Sequence, residues 1–213
     1  RDGMGTTLLS AVEVIGRIPD AYFQAVGSGT GAIAAWENAA RLAADGRFGE
    51  NKMRIYASQN APFTIMYDSW KAHSRELVPM TPEEGRQNAE VILGKVLSNR
   101  KPPYSLAGGL FDVLEKSGGD MFKVSNDEIV SWVVKYFSLE GYDLFPASAC
   151  AVSSLKQALD AGIVKHDETV MLNVTGGGML GATRKGFILK EPDLILSPDL
   201  PAEEIIAAVD KLF

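Results

Sequence analysis

Residues 22–37 place a short apolar run directly before a glycine loop and an alanine-rich segment. The run Tyr22-Phe23-Gln24-Ala25-Val26 predicts a buried strand, and Ala32-Ile33-Ala34-Ala35 predicts a helix. The loop between them is Gly27-Ser28-Gly29-Thr30-Gly31. A strand that turns directly into a helix is a building unit of parallel sheets. The junction therefore favours an α/β fold.

The same junction predicts a site for an anion. Backbone N–H groups at the start of a helix lack partners within the helix and carry partial positive charge. Glycines at 27, 29 and 31 let the backbone approach a ligand, and Ser28 and Thr30 add hydroxyl donors. The loop is not a Walker A motif, because no Gly-Lys-Ser/Thr follows, and its glycine spacing differs from the dinucleotide fingerprint. These five residues alone fit either a phosphate site or a tight turn.

Segments with helical and strand patterns alternate along the rest of the chain. Further strands are predicted at 53–57, 122–124, 169–174 and 194–196. Helices are predicted at 6–15, 32–44, 62–75, 81–98, 110–116, 125–137, 146–159 and 201–212. Two of them begin with capping boxes, at Thr81 and Ser125. The alternation predicts a three-layer αβα fold with a mostly parallel sheet.

Three predicted strand ends finish in small or polar residues. They are Gly27–Gly31, Ser58-Gln59-Asn60 and Thr175-Gly176-Gly177-Gly178. Ligands of parallel sheets bind at the carboxyl ends of the strands, where these loops would meet. A hydroxyl followed by three glycines can face a flat ligand, although a turn with Thr175 bonded to its own backbone is the alternative. Together the loops suggest a flat heterocycle that carries a phosphate.

Composition excludes several classes of function. The net charge of −6 and the pI near 5.0 argue against a nucleic-acid or anionic-membrane partner, and no apolar run is long enough to span a membrane. The one cysteine, Cys150, fits a reducing cytoplasm and predicts a buried structural thiol rather than a nucleophile. With only His73 and His166 as histidines, no metal site is predicted.

Five stretches of the chain carry a resemblance to a known family. They are residues 1–6, residues 22–31, Asp45-Gly46-Arg47-Phe48-Gly49, Pro146-Ala147-Ser148-Ala149 and Asn173-Val174-Thr175-Gly176-Gly177-Gly178. They resemble the threonine-synthase-like branch of the fold-type II, tryptophan-synthase-β-like pyridoxal-phosphate enzymes. The resemblance implies that Gly27, Ser28, Gly29, Thr30 and Gly31 hold the cofactor phosphate. It also implies that Thr175 hydrogen-bonds the pyridine nitrogen.

The implied reaction is a β-replacement. A neutral hydroxyl at the ring nitrogen does not keep it protonated, which favours elimination and replacement over transamination. Within the branch, the chain is most similar to paralogues that join O-phosphoserine and sulfite into cysteate for coenzyme M biosynthesis. Two alternatives remain: the synthesis of threonine from phosphohomoserine, and a non-catalytic module that binds phosphorylated metabolites.

The resemblance also implies a missing part. In this family the lysine that forms the Schiff base precedes the glycine loop, so no lysine of this chain is assigned that role. Residues 1–213 are expected to be the large C-terminal domain of a longer enzyme, without its small domain. Enzymes of this type are commonly dimers, so a homo-oligomer is an expected partner state.

Other polar residues are weaker candidates for substrate contacts. Gln59 and Asn60 end a predicted strand at the expected rim, and Arg184 follows the Thr175 loop. Lys71, His73 and Arg75 could hold an anion, as could Arg184, although solvated side chains are the default for all four. Ser148 begins a predicted helix and either lines the cofactor ring or caps that helix.

Overall fold

The structure is a computed structural model that describes residues 1–177, 179–188 and 190–213. The chain divides into two compact units, Arg1–Gly178 and Met179–Phe213. Each unit is described by itself below. In the described residues no helix combines the length and the apolar character that a membrane crossing requires.

The first unit contains a sheet of four parallel strands. These are β1 (Ala21–Ala25), β2 (Arg54–Asn60), β3 (Asp120–Val124) and β4 (Val170–Leu172). Their order is β3-β2-β1-β4, and every neighbouring pair is parallel. The predicted α/β class with a parallel sheet is confirmed. Because β1 lies between β2 and β4, the glycine loop that follows β1 emerges at the middle of the sheet edge.

Helices connect the strands. The first unit contains α1 (Asp2–Ile15), α2 (Thr30–Asp45), α3 (Ile65–Lys71), α4 (Pro82–Val91), a 3₁₀ turn (Lys95–Leu97), α5 (Leu110–Ser117), α6 (Asn126–Glu140) and α7 (Pro146–Asp160). The second unit contains α8 (Met179–Arg184) and α9 (Ala202–Asp210). Both predicted capping boxes form, at the starts of α4 and α6.

Alternate residues of the strands fill two apolar layers. Tyr22 and Ile55 belong to a core that includes α1, α2 and α5. Phe23 and Tyr56 belong to a second core with α7, where their rings stack with centroids 4.7 Å apart. A period of two along each strand sends neighbouring side chains to opposite faces. The central strands β1 and β2 are therefore buried on both faces, as in a three-layer αβα unit.

Small residues let α7 lie close to the sheet. Residues 147–154 of this helix are all buried, and each is Ala, Ser, Cys or Val. Ser58 of β2 donates a hydrogen bond to the backbone oxygen of Cys150 at 3.5 Å. Burial raises the pKa of the Cys150 thiol to about 12, so the thiol stays protonated at neutral pH. Cys150 is a buried residue of the core, as predicted.

Several predicted elements differ from the structure: the strand predicted at 53–57 continues to Asn60, and the helix predicted at 62–75 spans Ile65–Lys71. The strand predicted at 194–196 is irregular, and this prediction is wrong. The run lies between Pro192 and Pro198, and no strand of the described residues pairs with it. The helix predicted over 81–98 ends at Val91 because the backbone becomes extended at Ile92. Gly94 then donates its N–H to the side-chain oxygen of Asn60 at 2.9 Å, which draws this segment to the sheet edge.

Candidate cofactor site

The glycine loop joins β1 to the start of α2. Gly29 has a φ of +79°, a left-handed conformation that favours glycine, and α2 begins at the next residue. The N-cap residue Gly29 has no side chain to cap the helix, and the first turn of α2 contains no acidic residue. The N–H groups of the first turn therefore face no carboxylate of their own helix, as an anion site requires.

Two hydroxyl groups lie beside this helix start. The Oγ atom of Ser28 is 3.0 Å from the Oγ1 atom of Thr30, and the backbone N–H of Thr30 donates to Ser28 at 3.3 Å. Both side chains are half-buried. The loop thus combines hydroxyl donors with backbone N–H groups at a positive helix end, a donor set suited to a phosphate.

Gly27 and Gly31 are constrained by their neighbours rather than by their dihedral angles. A Cβ atom at Gly27 would lie 2.7 Å from the backbone oxygen of Val96. A Cβ atom at Gly31 would lie 2.7 Å from the Nε2 atom of Gln24. Sequence reasoning missed both contacts, and the one between Gly27 and Val96 joins residues distant in the chain. Within the loop, a positive φ occurs at Gly29 and at neither of these two.

A second loop follows β4 and carries Thr175. Its backbone is fastened to α7 by Ser148, whose hydroxyl donates to the oxygen of Gly176 at 3.0 Å and accepts from its N–H at 3.0 Å. Ser148 is therefore bonded to the loop rather than serving as a simple helix cap. Thr175 is exposed, and in the described part of the chain its hydroxyl has no hydrogen-bond partner. Gly178, the last residue of the predicted loop, lies outside the described residues.

Two hollows meet at Thr175. The first has a volume of about 400 Å³ and is lined by Leu93, Gly94, Lys95, Val96, Phe145, Pro146, Ala147, Ser148, Thr175 and Gly176. The second has a volume of about 320 Å³ and is lined by Met4, Thr7, Gln24, Gly31, Asn173, Val174 and Thr175. Because Gly31 and Thr175 line the same hollow, the structure brings the two predicted binding loops together.

Gln59 and Asn60 do not reach this rim. Both are fully buried within β2. The Oε1 atom of Gln59 accepts the N–H groups of Met66 at 2.9 Å and Tyr67 at 3.0 Å. Asn60 donates to the backbone oxygen of Val124 at 3.1 Å. These bonds join strands and helices of the scaffold, so the geometry gives no support to the predicted substrate contacts.

Lys71, His73 and Arg75 do not line the two hollows either. Arg184 is the last residue of α8 in the second unit. Lys71 pairs with Asp120 at 2.6 Å, and Arg75 pairs with Asp112. Among the described residues no group of His, Cys, Asp and Glu side chains could hold a metal ion. The loops therefore contribute neutral donors and a helix start, and Lys95 in the lining of the first hollow donates to the backbone oxygens of Ala89 and Glu90.

Comparison with known proteins identifies close relatives of the chain. Cysteate synthase of Methanosarcina acetivorans is 43% identical over 208 residues, which cover 96% of this chain and 50% of the relative. Cysteate synthase of Methanoregula boonei is 49% identical over 179 residues, which cover 84% of this chain and 42% of the relative. The chain thus spans about half the length of the curated relatives it matches.

The fold has solved counterparts. Threonine deaminase isoform 2 of Solanum lycopersicum superposes with a TM-score of 0.61 at 14% identity, covering 87% of this chain and 48% of that structure. At this identity the likeness concerns the fold alone. The profile of the family described as pyridoxal-phosphate dependent enzymes matches residues 1–176, which include both loops of the site. The chain therefore belongs to the family of pyridoxal-phosphate-dependent enzymes.

Proposed function

We propose that the chain is part of an enzyme that converts O-phosphoserine and sulfite into L-cysteate and phosphate. The observation that carries the proposal is the 43% identity to a cysteate synthase over 96% of the chain. The structure adds a fold and a donor set compatible with such an enzyme. The substrates would be small anions, in keeping with a site built from N–H and hydroxyl donors.

The residues of the site fit pyridoxal phosphate. The start of α2 has no acidic residue in its first turn, and Ser28 and Thr30 place hydroxyl groups beside it. We assign the cofactor phosphate to Gly27, Ser28, Gly29, Thr30 and Gly31. We assign the ring nitrogen to Thr175, whose exposed hydroxyl lines the same hollow as Gly31. When bound, this cofactor supplies an electron sink for negative charge at the α-carbon of an amino acid.

Thr175 would select among the reactions open to such a cofactor. Its hydroxyl is uncharged, and among the described residues no carboxylate lines either of the two hollows. A carboxylate at this position would hold a proton on the ring nitrogen, whereas a hydroxyl does not. The residue thereby favours loss and replacement of a substituent at the β-carbon over transamination.

The remaining parts of the enzyme are proposed from the resemblance and the relatives. Residues 1–213 would form the large domain, and the lysine that holds the cofactor covalently would come from residues outside this sequence. The half-length match to the curated relatives supports this division. A homodimer and a cytoplasmic location are proposed on the same footing, and the single buried cysteine agrees with the location.

The full-length protein tests this function directly. After loading with pyridoxal phosphate, it should release phosphate from O-phosphoserine only when sulfite is present and should form cysteate in equal amount. Phosphohomoserine in place of phosphoserine should give no threonine. Threonine formation without cysteate would contradict the proposal, as would a protein that binds the cofactor and releases no phosphate from either substrate.

A further inference from the structure

A buried tyrosine lies at the centre of a directional hydrogen-bond chain. The Nδ2 atom of Asn173 donates to the hydroxyl of Tyr22 at 2.7 Å, and that hydroxyl donates to the Oε1 atom of Gln24 at 2.8 Å. An amide nitrogen cannot accept a hydrogen bond, so the phenol oxygen accepts from Asn173 and its own proton points to Gln24. The donor and the acceptor of both hydrogen bonds are thereby fixed.

The two ends of this chain belong to the two halves of the cofactor site. The Gln24 side chain lies against Gly31 in the first turn of α2, where a Cβ atom would be 2.7 Å from Nε2 and 2.8 Å from Oε1. Asn173 is two residues before Thr175, and its backbone N–H donates to the oxygen of Phe23 at 2.9 Å. Gln24, Gly31, Asn173 and Thr175 also line one hollow.

Burial makes the central link persistent. The Tyr22 side chain is fully buried, and this burial raises the pKa of its hydroxyl to about 12, against a smaller lowering by the bond from Asn173. The phenol therefore remains protonated at neutral pH and always has a proton to donate to Gln24. Buried polar chains whose members are all bonded hold their partners in one arrangement.

We propose that Tyr22, Gln24 and Asn173 are positioning residues that set the spacing between the glycine loop and Thr175. The inference rests on the proposed function, in which one rigid cofactor contacts both loops. The distance between the phosphate and the ring nitrogen of that cofactor is nearly constant, so a change in loop spacing weakens one contact or the other. The chain of hydrogen bonds prevents such a change.

The substitution Tyr22→Phe tests this role, and Tyr104→Phe is a matched control. Tyr104 is also fully buried, its pKa is also raised to about 12 by burial, and its hydroxyl donates to the oxygen of Ser74 at 3.0 Å. Tyr104 lines neither of the two hollows. Both substitutions should lower the unfolding temperature of the cofactor-free, full-length protein relative to wild type.

Only Tyr22→Phe should change the affinity for the cofactor and its absorption spectrum. We expect its dissociation constant for pyridoxal phosphate to rise roughly three- to tenfold, the equivalent of one lost hydrogen bond. The absorption maximum of the bound cofactor should also shift, because the ring-nitrogen contact tunes the electronic state of the ring. Equal affinities and identical spectra for the two variants would overturn the proposal.

Two further results keep the test decisive. Gln24→Met keeps an unbranched side chain but removes the acceptor, and it should reproduce the spectral shift of Tyr22→Phe even if that variant does not fold. Wild-type protein that fails to bind pyridoxal phosphate would contradict the proposed function itself. Wild type that binds the cofactor, together with a Gln24→Met variant of unchanged affinity and spectrum, would contradict the positioning role alone.

Discussion

Gly27 contributes to the candidate site through the space that its missing side chain leaves. Its Cα is approached by the backbone oxygen of Val96, which belongs to the segment between α4 and α5. That segment is held in turn by the bond from Gly94 to Asn60. The absence of a side chain at Gly27 therefore allows the segment to close against the loop that we assign to the phosphate.

The substitution Gly27→Ala should be destabilising. The added methyl would lie 2.7 Å from a backbone atom that cannot rotate away, and overpacking of this kind costs about 1–3 kcal/mol. Gly3→Ala is the control, because a Cβ atom at this helical glycine meets nothing within 4 Å. Urea unfolding of both variants should show a loss at Gly27 and a small gain at Gly3. Equal stability of the two variants would show that the Val96 contact does not constrain the loop.

At the scale of elements, the two capping boxes are alike in sequence and different in surroundings. Glu84 accepts from the N–H of Thr81 at 2.7 Å and is exposed. Glu128 accepts from the N–H of Ser125 at 2.8 Å, and its other oxygen accepts from Gln157 of α7 at 2.7 Å. The cap of α6 is thus also a link to α7, the helix that covers the sheet.

The variant Glu128→Ala should therefore cost more stability than Glu84→Ala. We expect a loss of about 1–3 kcal/mol at Glu128, the usual range for hydrogen bonds to a charged group. Burial raises the pKa of Glu128, but the hydrogen bonds from Ser125, Gln157 and Ser153 together lower it by more than burial raises it. The pKa of Glu128 therefore lies below its ordinary value of 4.5. A depressed pKa stabilises the fold above pH 4.5, and this contribution is lost as the pH falls.

The check for this prediction is urea unfolding of wild type and both variants at pH 7 and below pH 4. The gap between wild type and Glu128→Ala should narrow at the lower pH. A gap that is constant with pH, or a larger loss in Glu84→Ala, would contradict the assigned link between α6 and α7.

Elements with local signals could be predicted from the sequence, and the rest depended on distant partners. The boxes at Thr81 and Ser125 and the parallel strands followed from short-range patterns. The strand predicted at 194–196 was wrong because a strand needs a neighbour. Gln59 and Asn60 were expected at the rim, but β2 continues through both, and their amides bond to α3 and β3. No local sequence pattern indicates that a polar side chain will be buried and hydrogen-bonded to other elements of the fold.

The candidate site was predictable to a similar extent. The glycine loop and Thr175 each carry a local signal, and the parallel sheet brings them to one hollow, as predicted. The chain from Asn173 through Tyr22 to Gln24 could not be predicted, because it depends on the register that places Tyr22 opposite Met171. Arg184 lies in the second unit, and its assignment to substrate remains a prediction.

At the scale of the whole molecule, the 213-residue chain alone should bind pyridoxal phosphate weakly. Hydrogen bonds to a charged phosphate contribute about 1.5–3 kcal/mol each, and a helix start contributes about 0.3–1 kcal/mol. Association costs on the order of 4–15 kcal/mol, so little net affinity remains. Equilibrium dialysis should show weak binding that inorganic phosphate displaces. A dissociation constant of about 1 μM or tighter, with a covalently attached cofactor, would contradict this expectation.

The pairing of β1 with β4 also determines the order in which the two parts of the proposed site form during synthesis. The glycine loop and Thr175 follow neighbouring strands of the sheet but lie far apart in the sequence of the first unit. In a polypeptide growing from its N-terminus, the helix start that we assign to the phosphate forms before β4 emerges, and Thr175 joins it only when that long span closes. A nascent or prematurely terminated chain therefore carries only half of the proposed site, so the contact that we assign to Thr175 becomes available only after β4 has paired with β1.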